Sequence, residues 1–325
     1  MADKSKIEWT DATWNPIRAR NKATGKVGWH CEHATTGCQF CYAENFNQRL
    51  GTGLPFKPGH RDDIKLFLDE QILKQPLRWK RPRKIFVGSM TDVFADFIPD
   101  AWLDRMFAVM ALSPEHTFQV LTKRAERMRR YFLDDLPRHA GVARTHAIDQ
   151  AIDLIAPSVP AVSTDVSWPL PNVWLGVSAE RQEQVEDRIP LLLQTPAAVH
   201  FISAEPLLGP IDLMWPTYPD EGGYAMVGFL RDRGMPDEFR YRAAKLDWVI
   251  AGGESGSRAR PMHLDWVRGL RDQCAAAGTA FFFKQWGEWL SGDDNAVFRI
   301  GKKRAGRVLD GKTHSEFPTA RSATQ

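Results

Sequence analysis

The stretch KIFVGSMTDVFADFIPDAWLDRMFAVMALSPEHTFQVLTK, residues 84–123, decides how the chain is read. KIFVGS (84–89) and TFQVLT (117–122) are short runs rich in β-branched and aromatic residues, apolar on both faces, as buried parallel strands read. Between them PDAWLDRMFAVMAL (99–112) opens with Pro-Asp and continues with the spacing of an amphipathic helix. Strand, helix, strand in this order predicts a parallel pair joined by a right-handed crossover.

The same rhythm continues outward. NVWLGVS (172–178), VHFISAE (199–205), DWVIAGGE (247–254) and TAFFFKQ (279–285) are further strand candidates. RAERMRRYFLDDL (124–136), ERQEQVEDRIPLLLQ (180–194) and HLDWVRGLRDQCAAAG (263–278) are the helices between them, the last ending on Gly278 as a C-cap. One more strand is expected near 13–18. The count suits an α/β fold, an open or complete (β/α) barrel; a doubly wound sheet competes, but no GxGxxG follows the first strand. Residues 140–171 and 213–246 break the rhythm and read as insertions or lids. The tail after Trp286 reads as a small hairpin followed by disorder. The expected organisation is therefore a barrel over 1–290 and a C-terminal extension over 291–325.

Bulk composition narrows the classes. At 325 residues, 43% hydrophobic and 26% charged, the chain is long enough for a sizeable core. No run of 18 apolar residues exists, so no membrane span is expected, and MADKSKIEWTD lacks the apolar centre of a secretory signal. A cytoplasmic protein is the expectation. A net charge of +3 is too weak to argue for nucleic acid, although RWKRPRK (78–84), KRAERMRR (123–130) and GKKRAGR (301–307) are local basic clusters. The 12 tryptophans read mainly as core and loop anchors.

Three of the four cysteines fall within eleven residues, in CEHATTGCQFCYAE (31–44). Thiols so grouped suggest metal or redox chemistry. Cys31, Cys38 and Cys41 would bind three irons of a cubane and leave the fourth open. With His30 or His33 they would instead close a Cys₃His zinc site. The absence of a second CxxC or an HxxxH elsewhere favours iron, and zinc stays open. Cys274, far away in a predicted helix, reads as a buried small apolar residue.

A loop ending C-x-aromatic-C ahead of a (β/α) barrel resembles the cluster loop of the radical-SAM superfamily. The first gap here is six residues where that superfamily most often has three. The chain is also similar, along nearly its whole length, to a radical-SAM-like group of phage and prophage proteins. They share IEWTDATWNP (7–16), CYAE (41–44) and GKKxAGRxLDG (301–311). The resemblance implies a partial (β/α)6-type TIM barrel of the radical-SAM kind, a [4Fe–4S] cluster, S-adenosylmethionine (SAM) as cofactor, and a flavodoxin- or ferredoxin-like electron donor.

In a barrel the chemistry sits at the C-terminal strand ends. Here those ends read SMTD (89–92), Thr122–Lys123, Ser178, SAEP (203–206) and GGES (252–255). The series is similar to that of spore photoproduct lyase, a radical-SAM enzyme that repairs DNA. By that likeness Thr91 and Asp92 contact the methionyl part or ribose of SAM, Lys123 pairs with its carboxylate and Ser178 hydrogen-bonds it. Phe40, Tyr42 and Ser89 complete the expected cofactor pocket. The lyase carries a hydrogen-donor cysteine where this chain has Ser89, so the lyase reaction itself is not expected. Glu205 and Glu254 are expected to hold the SAM amine, a ribose diol or the substrate, with pairing to Arg258, Arg260 or Lys284 as the structural alternative. The expectation is a radical-SAM enzyme acting on DNA, a nucleotide or a modified base; the alternative is a zinc-stabilised nucleic-acid-binding protein.

Overall fold

The computed structural model describes residues 5–133, 140–157, 168–213, 245–292 and 296–319. The chain divides into two compact units, one spanning Met1–Leu175 with Thr195–Ala198, the other Gly176–Gln194 with Val199–Arg321.

The first unit opens with β1 (Ala12–Trp14), and here the structure corrects the expected strand near 13–18. Asn15-Pro16 interrupts it, because proline offers no N–H to a ladder. Beyond Pro16 the chain leaves for a separate antiparallel sheet of β2 (Ile17–Asn21), β3 (Val27–Gly28) and β4 (Ile64–Leu68), in the order β3-β2-β4. Helix α1 (Tyr42–Leu50) lies between β3 and β4. The short α2 (Glu70–Leu73) follows, capped by Asp69, whose side chain accepts from Gln71 N and Ile72 N.

Then comes the predicted unit: β5 (Lys84–Val87), α3 (Asp100–Ala111) and β6 (Thr117–Thr122). β1 pairs β5 and β5 pairs β6, both parallel. Met106, Phe107 and Met110 recur at helical spacing on the buried face of α3. Helix α4 (Ala125–Leu133) follows β6 directly. The stretch 140–171, read as an insertion or lid, is described in its first half. Residues Ala140–Ile155 form a helix, α5, packed on α3 through a face that buries Ile148, Ala151, Ile152 and Ile155. Residues 158–167 lie outside the described residues, as does most of the predicted insertion at 213–246.

The next elements are β7 (Val173–Ser178), α6 (Gln182–Gln194), β8 (Val199–Ala204), β9 (Trp248–Gly252), α7 (Leu264–Ala277) and β10 (Ala280–Gln285). Every residue of β7, β8 and β9 is buried, which is why these strands read as unbroken apolar runs. β8 pairs β9 and β9 pairs β10, all parallel. Helix α7 ends as expected on Gly278 in the left-handed conformation.

The seven-stranded sheet has the order β1-β5-β6-β7-β8-β9-β10. That order never reverses, so the sheet is singly wound. A doubly wound sheet reverses at a switch point. The mixed α/β chain is thus compatible with a partial barrel. Among the described residues no helix is long and apolar enough to cross a membrane.

The tail forms the expected hairpin, β11 (Trp289–Ser291) with β12 (Val297–Arg299). The disorder expected beyond it is corrected. Residues 301–319 include α8 (Lys302–Ala305) and run along the outer edge of β10. Phe283 N donates to His314 O at 3.1 Å, Trp286 Nε1 to Val308 O at 2.8 Å and Trp248 Nε1 to Glu316 O at 2.8 Å. An edge strand presents unpaired backbone groups, and the tail satisfies them.

Candidate metal centre

In the first unit the C-terminal ends of β5 and β6 meet at one carboxylate, that of Asp92. Its Oδ1 accepts from Thr122 Oγ1 at 2.7 Å and from Phe94 N at 3.1 Å. Its Oδ2 accepts from Lys123 N at 2.9 Å and from Arg124 Nη1 at 3.1 Å. The other guanidinium nitrogen of Arg124 donates to the carbonyl of Glu32 at 2.9 Å, inside the cysteine loop. At the end of β1, Asn15 Nδ2 donates to Ser89 Oγ at 2.9 Å, and Asn15 Oδ1 accepts from Met90 N at 2.9 Å. Tyr42, first residue of α1, donates its hydroxyl to Ser89 O at 2.8 Å. The loop is therefore tied to the strand ends from two sides.

Within the loop, a single 3-10 turn at Thr36–Cys38 and the start of α1 set the spacing of the thiols. Cys41 N donates to Cys38 O at 3.1 Å, and Cys41 is the N-cap residue of α1. Cys31 and Cys41 rest on an apolar floor of Trp29, Ala43, Phe56 and Met90. All three thiols are free. Burial pushes the Cys31 thiol up to about 12, and the Asp92 carboxylate acts in the same direction. Burial likewise raises Cys41. Thiols so placed stay protonated unless a cation compensates the thiolate charge, which is what a bound metal does.

Among the described residues no group of three His, Cys, Asp or Glu is gathered closely enough to hold a metal ion. The chemistry of the donors still fits a group held by three thiolates. All three come from one loop, two share one floor, and the nearest fixed cation is Arg124. Two buried polar atoms, Trp29 Nε1 of the floor itself and Thr91 Oγ1 on the residue after Met90, have no hydrogen-bond partner among the described residues. The histidines are engaged elsewhere. His33 Nε2 lies 2.8 Å from Glu44 Oε2, and the buried His30 lies 3.4 Å from Glu32 Oε1. Burial lowers the pKa of His30, against the pull of Glu32. Glu32 in turn pairs both carboxylate oxygens with Arg61 at 2.9 and 2.8 Å.

Of the sequence-predicted residues, Cys31, Cys38, Cys41, Phe40, Tyr42, Ser89, Thr91, Asp92 and Lys123 all belong to this unit, on the loop or the strand ends. Asp92 is held by the protein itself. Four protein donors occupy its two oxygens, so it acts as the tie between strands and loop. Ser178, Glu205 and Glu254 belong to the second unit. The carbonyl of Ser178 accepts from Arg188 Nη1 at 2.7 Å, and the same guanidinium pairs with the buried Glu180 at 3.1 Å. Glu205 pairs with Lys284 at 2.9 Å and accepts from Ser203 Oγ at 3.0 Å. Glu254 holds Arg260 through both oxygens, at 2.7 and 2.9 Å. These are the pairings named as the structural alternative.

Three residues of the site escaped the sequence reading. Arg124 stood in plain view as the residue after Lys123. Asn15 was hidden inside the supposed strand 13–18, although the Asn-Pro pair marks a strand end. Trp29 carried no signal, because nothing in one sequence separates a tryptophan under a cysteine loop from any other.

Residues 4–318 match the DUF5131 family, described as a protein of unknown function, and the chain belongs to that family. Neither the curated proteins nor the solved structures contain a match.

Proposed function

We propose that this DUF5131 chain is a radical-SAM enzyme that binds a [4Fe–4S] cluster through Cys31, Cys38 and Cys41. One observation carries the reading: the three-cysteine loop is tied by Arg124 and Tyr42 to the C-terminal ends of parallel strands, where a partial barrel has its chemistry. When bound, such a cluster supplies one electron to break the C5′–S bond of SAM, giving methionine and a 5′-deoxyadenosyl radical that abstracts a substrate hydrogen.

The chain's own part is to bind, orient and exclude water. The three thiols release their protons on loading. Asp92 and Arg124 fix the loop against β5 and β6. Thr91 Oγ1 offers an unused hydroxyl beside the loop. Lys123, at the end of β6, supplies the cation that a carboxylate of SAM requires. Phe40, Tyr42 and Ser89 wall the loop. Glu205 and Glu254 already carry their counter-ions and are given no acid or base role.

DNA, a nucleotide or a modified base remains the proposed substrate class, supported by the lyase resemblance. The basic run 78–84 lends it little, since it leads into the start of β5, the end away from Asp92. Arg124 and Arg127 of the run 123–130 are bound to Asp92 and Asp100.

A zinc-stabilised nucleic-acid-binding protein is the second reading. The observation in its favour is the His33–Glu44 pair, since zinc-ligating histidines commonly lean on a carboxylate through their other nitrogen. Anaerobic reconstitution with iron and sulfide decides between the two. A brown protein with about four irons per chain, releasing 5′-deoxyadenosine from SAM and dithionite, is the expected result. A colourless protein holding one zinc, with no such product, would establish the second reading.

A further inference from the structure

Helix α1 buries Ala43, Glu44 and Asn47 and turns its other side outward. On that side Tyr42, Phe46 and Leu50, spaced four residues apart, form one stripe. They are 55%, 40% and 63% exposed, among the most exposed large apolar side chains of the described residues. A contiguous exposed stripe of this kind marks an interaction surface more often than chance exposure.

The stripe starts one residue after Cys41 and leads inward. The Phe46 ring lies 5.9 Å from the ring of Trp29, and Trp29 belongs to the floor on which Cys31 and Cys41 rest. Surface and thiols are thus connected through two aromatic side chains in contact. The surroundings are cationic. Arg18 sits 4.6 Å above the Trp29 ring, and Arg49 is exposed on α1 between Phe46 and Leu50. Over residues 17–68, which hold the small sheet and α1, eight Lys and Arg face four Asp and Glu. Arg61 and Glu32 pair with each other, which leaves seven cations against three acids, and one of the three, Glu44, leans on His33.

From this we infer that the Tyr42–Phe46–Leu50 face of α1 is the docking surface for an acidic one-electron carrier protein, which passes its electron inward by way of Phe46 and Trp29. The inference rests on the proposed cluster. It specifies where the donor binds and what charge it carries. An apolar stripe ending on an exposed leucine suits a protein partner. A nucleic acid would draw on the cations and on aromatic faces and gain little from Leu50. The transfer balances simply: the carrier loses one electron, the cluster gains it, and no covalent bond changes. Cationic flanks also steer an acidic partner, so association is expected to weaken with salt.

The test uses the reconstituted full chain and an acidic flavodoxin in its hydroquinone state. Rapid-mixing absorbance follows cluster bleaching, and hydrogen exchange of the α1 amides follows docking. Leu50→Glu and Arg49→Glu are both surface changes outside the thiol floor. Each is expected to slow reduction by flavodoxin about tenfold while leaving reduction by dithionite unchanged. Flavodoxin is expected to slow exchange over 42–50 in the unaltered chain only. Equal rates with flavodoxin in all three proteins would overturn the surface while leaving the cluster reading intact. Weakened binding of a single-stranded oligonucleotide by Arg49→Glu, with flavodoxin reduction unaffected, would overturn it in favour of nucleic acid. A colourless protein without iron would overturn the cluster and the carrier together.

Discussion

Arg124 stands 3.1 Å from Asp92 and uses its second nitrogen to hold the Glu32 carbonyl, so one side chain joins β6, β5 and the cysteine loop. The two side chains are 16% and 10% exposed. Removing the cation leaves a largely buried carboxylate with an unmatched charge and frees the loop carbonyl. Arg124→Ala is therefore expected to destabilise the chain by about 2–4 kcal/mol, read as a lower urea midpoint. Asp92→Asn keeps the shape but sets an amide N–H₂ against two of the four donors and leaves Arg124 unmatched, so it should cost at least as much. A clearly smaller loss in Asp92→Asn than in Arg124→Ala would show that the charge on Asp92 is not what holds the strand ends.

The four cysteines should separate cleanly. Alanine at 31, 38 or 41 is expected to abolish iron retention after reconstitution. Cys274 is fully buried in α7, and burial holds its thiol well above the usual range. Cys274→Ala should therefore cost about 1 kcal/mol of stability through lost packing and leave iron content unchanged. Iron counting on the four single variants checks both halves.

Asp310, in the second unit, supplies a pH dependence. Arg268 and Arg271 hydrogen-bond its carboxylate and hold its pKa down at about 2. A depressed carboxylate stabilises the fold above its unfolded value of about 3.9, and that contribution fades as pH falls through about 2. Asp310 has φ 49°, a left-handed conformation that asparagine tolerates well, so Asp310→Asn isolates the charge. With the side chain one-third exposed, the loss at neutral pH should be no more than about 1 kcal/mol. The gap between the two proteins should close between about pH 4 and pH 2 in acid-melting curves. A gap independent of pH would mean the carboxylate charge contributes nothing.

Gly287 and Gly256 both have positive φ, at 81° and 114°. A Cβ on Gly287 would collide with the Glu254 carbonyl and the backbone of Gly253, whereas one on Gly256 meets nothing within 4 Å. Gly256→Ala should thus cost only backbone strain, on the order of 1–2 kcal/mol. Gly287→Ala adds a backbone collision and should cost about 3 kcal/mol or more. Thermal melting of the two variants compares them directly.

Much of this protein was legible before any coordinates. A strand buried on both faces must be apolar throughout, so β5 to β10 stood out as runs, and α7 announced its end with Gly278. The thiol spacing is local as well: residues 31, 38 and 41 lie on one loop whatever the rest of the chain does. What tertiary structure alone decided depends on partners distant in sequence. Arg124 reaches Glu32 across 92 positions and Asp92 reaches Thr122 across 30, and no periodicity encodes either meeting. Glu205 meets Lys284 and Glu254 meets Arg260, pairings that the sequence offers only as one of two alternatives. The tail from 301 to 319, polar enough to read as disorder, is ordered because the edge of β10 offers it hydrogen bonds. Local sequence dictates which segments become strands and helices and which residues share a loop, because those depend on neighbours a few positions away. Which charge meets which, and what covers an edge, follows only from the folded arrangement that brings remote segments together.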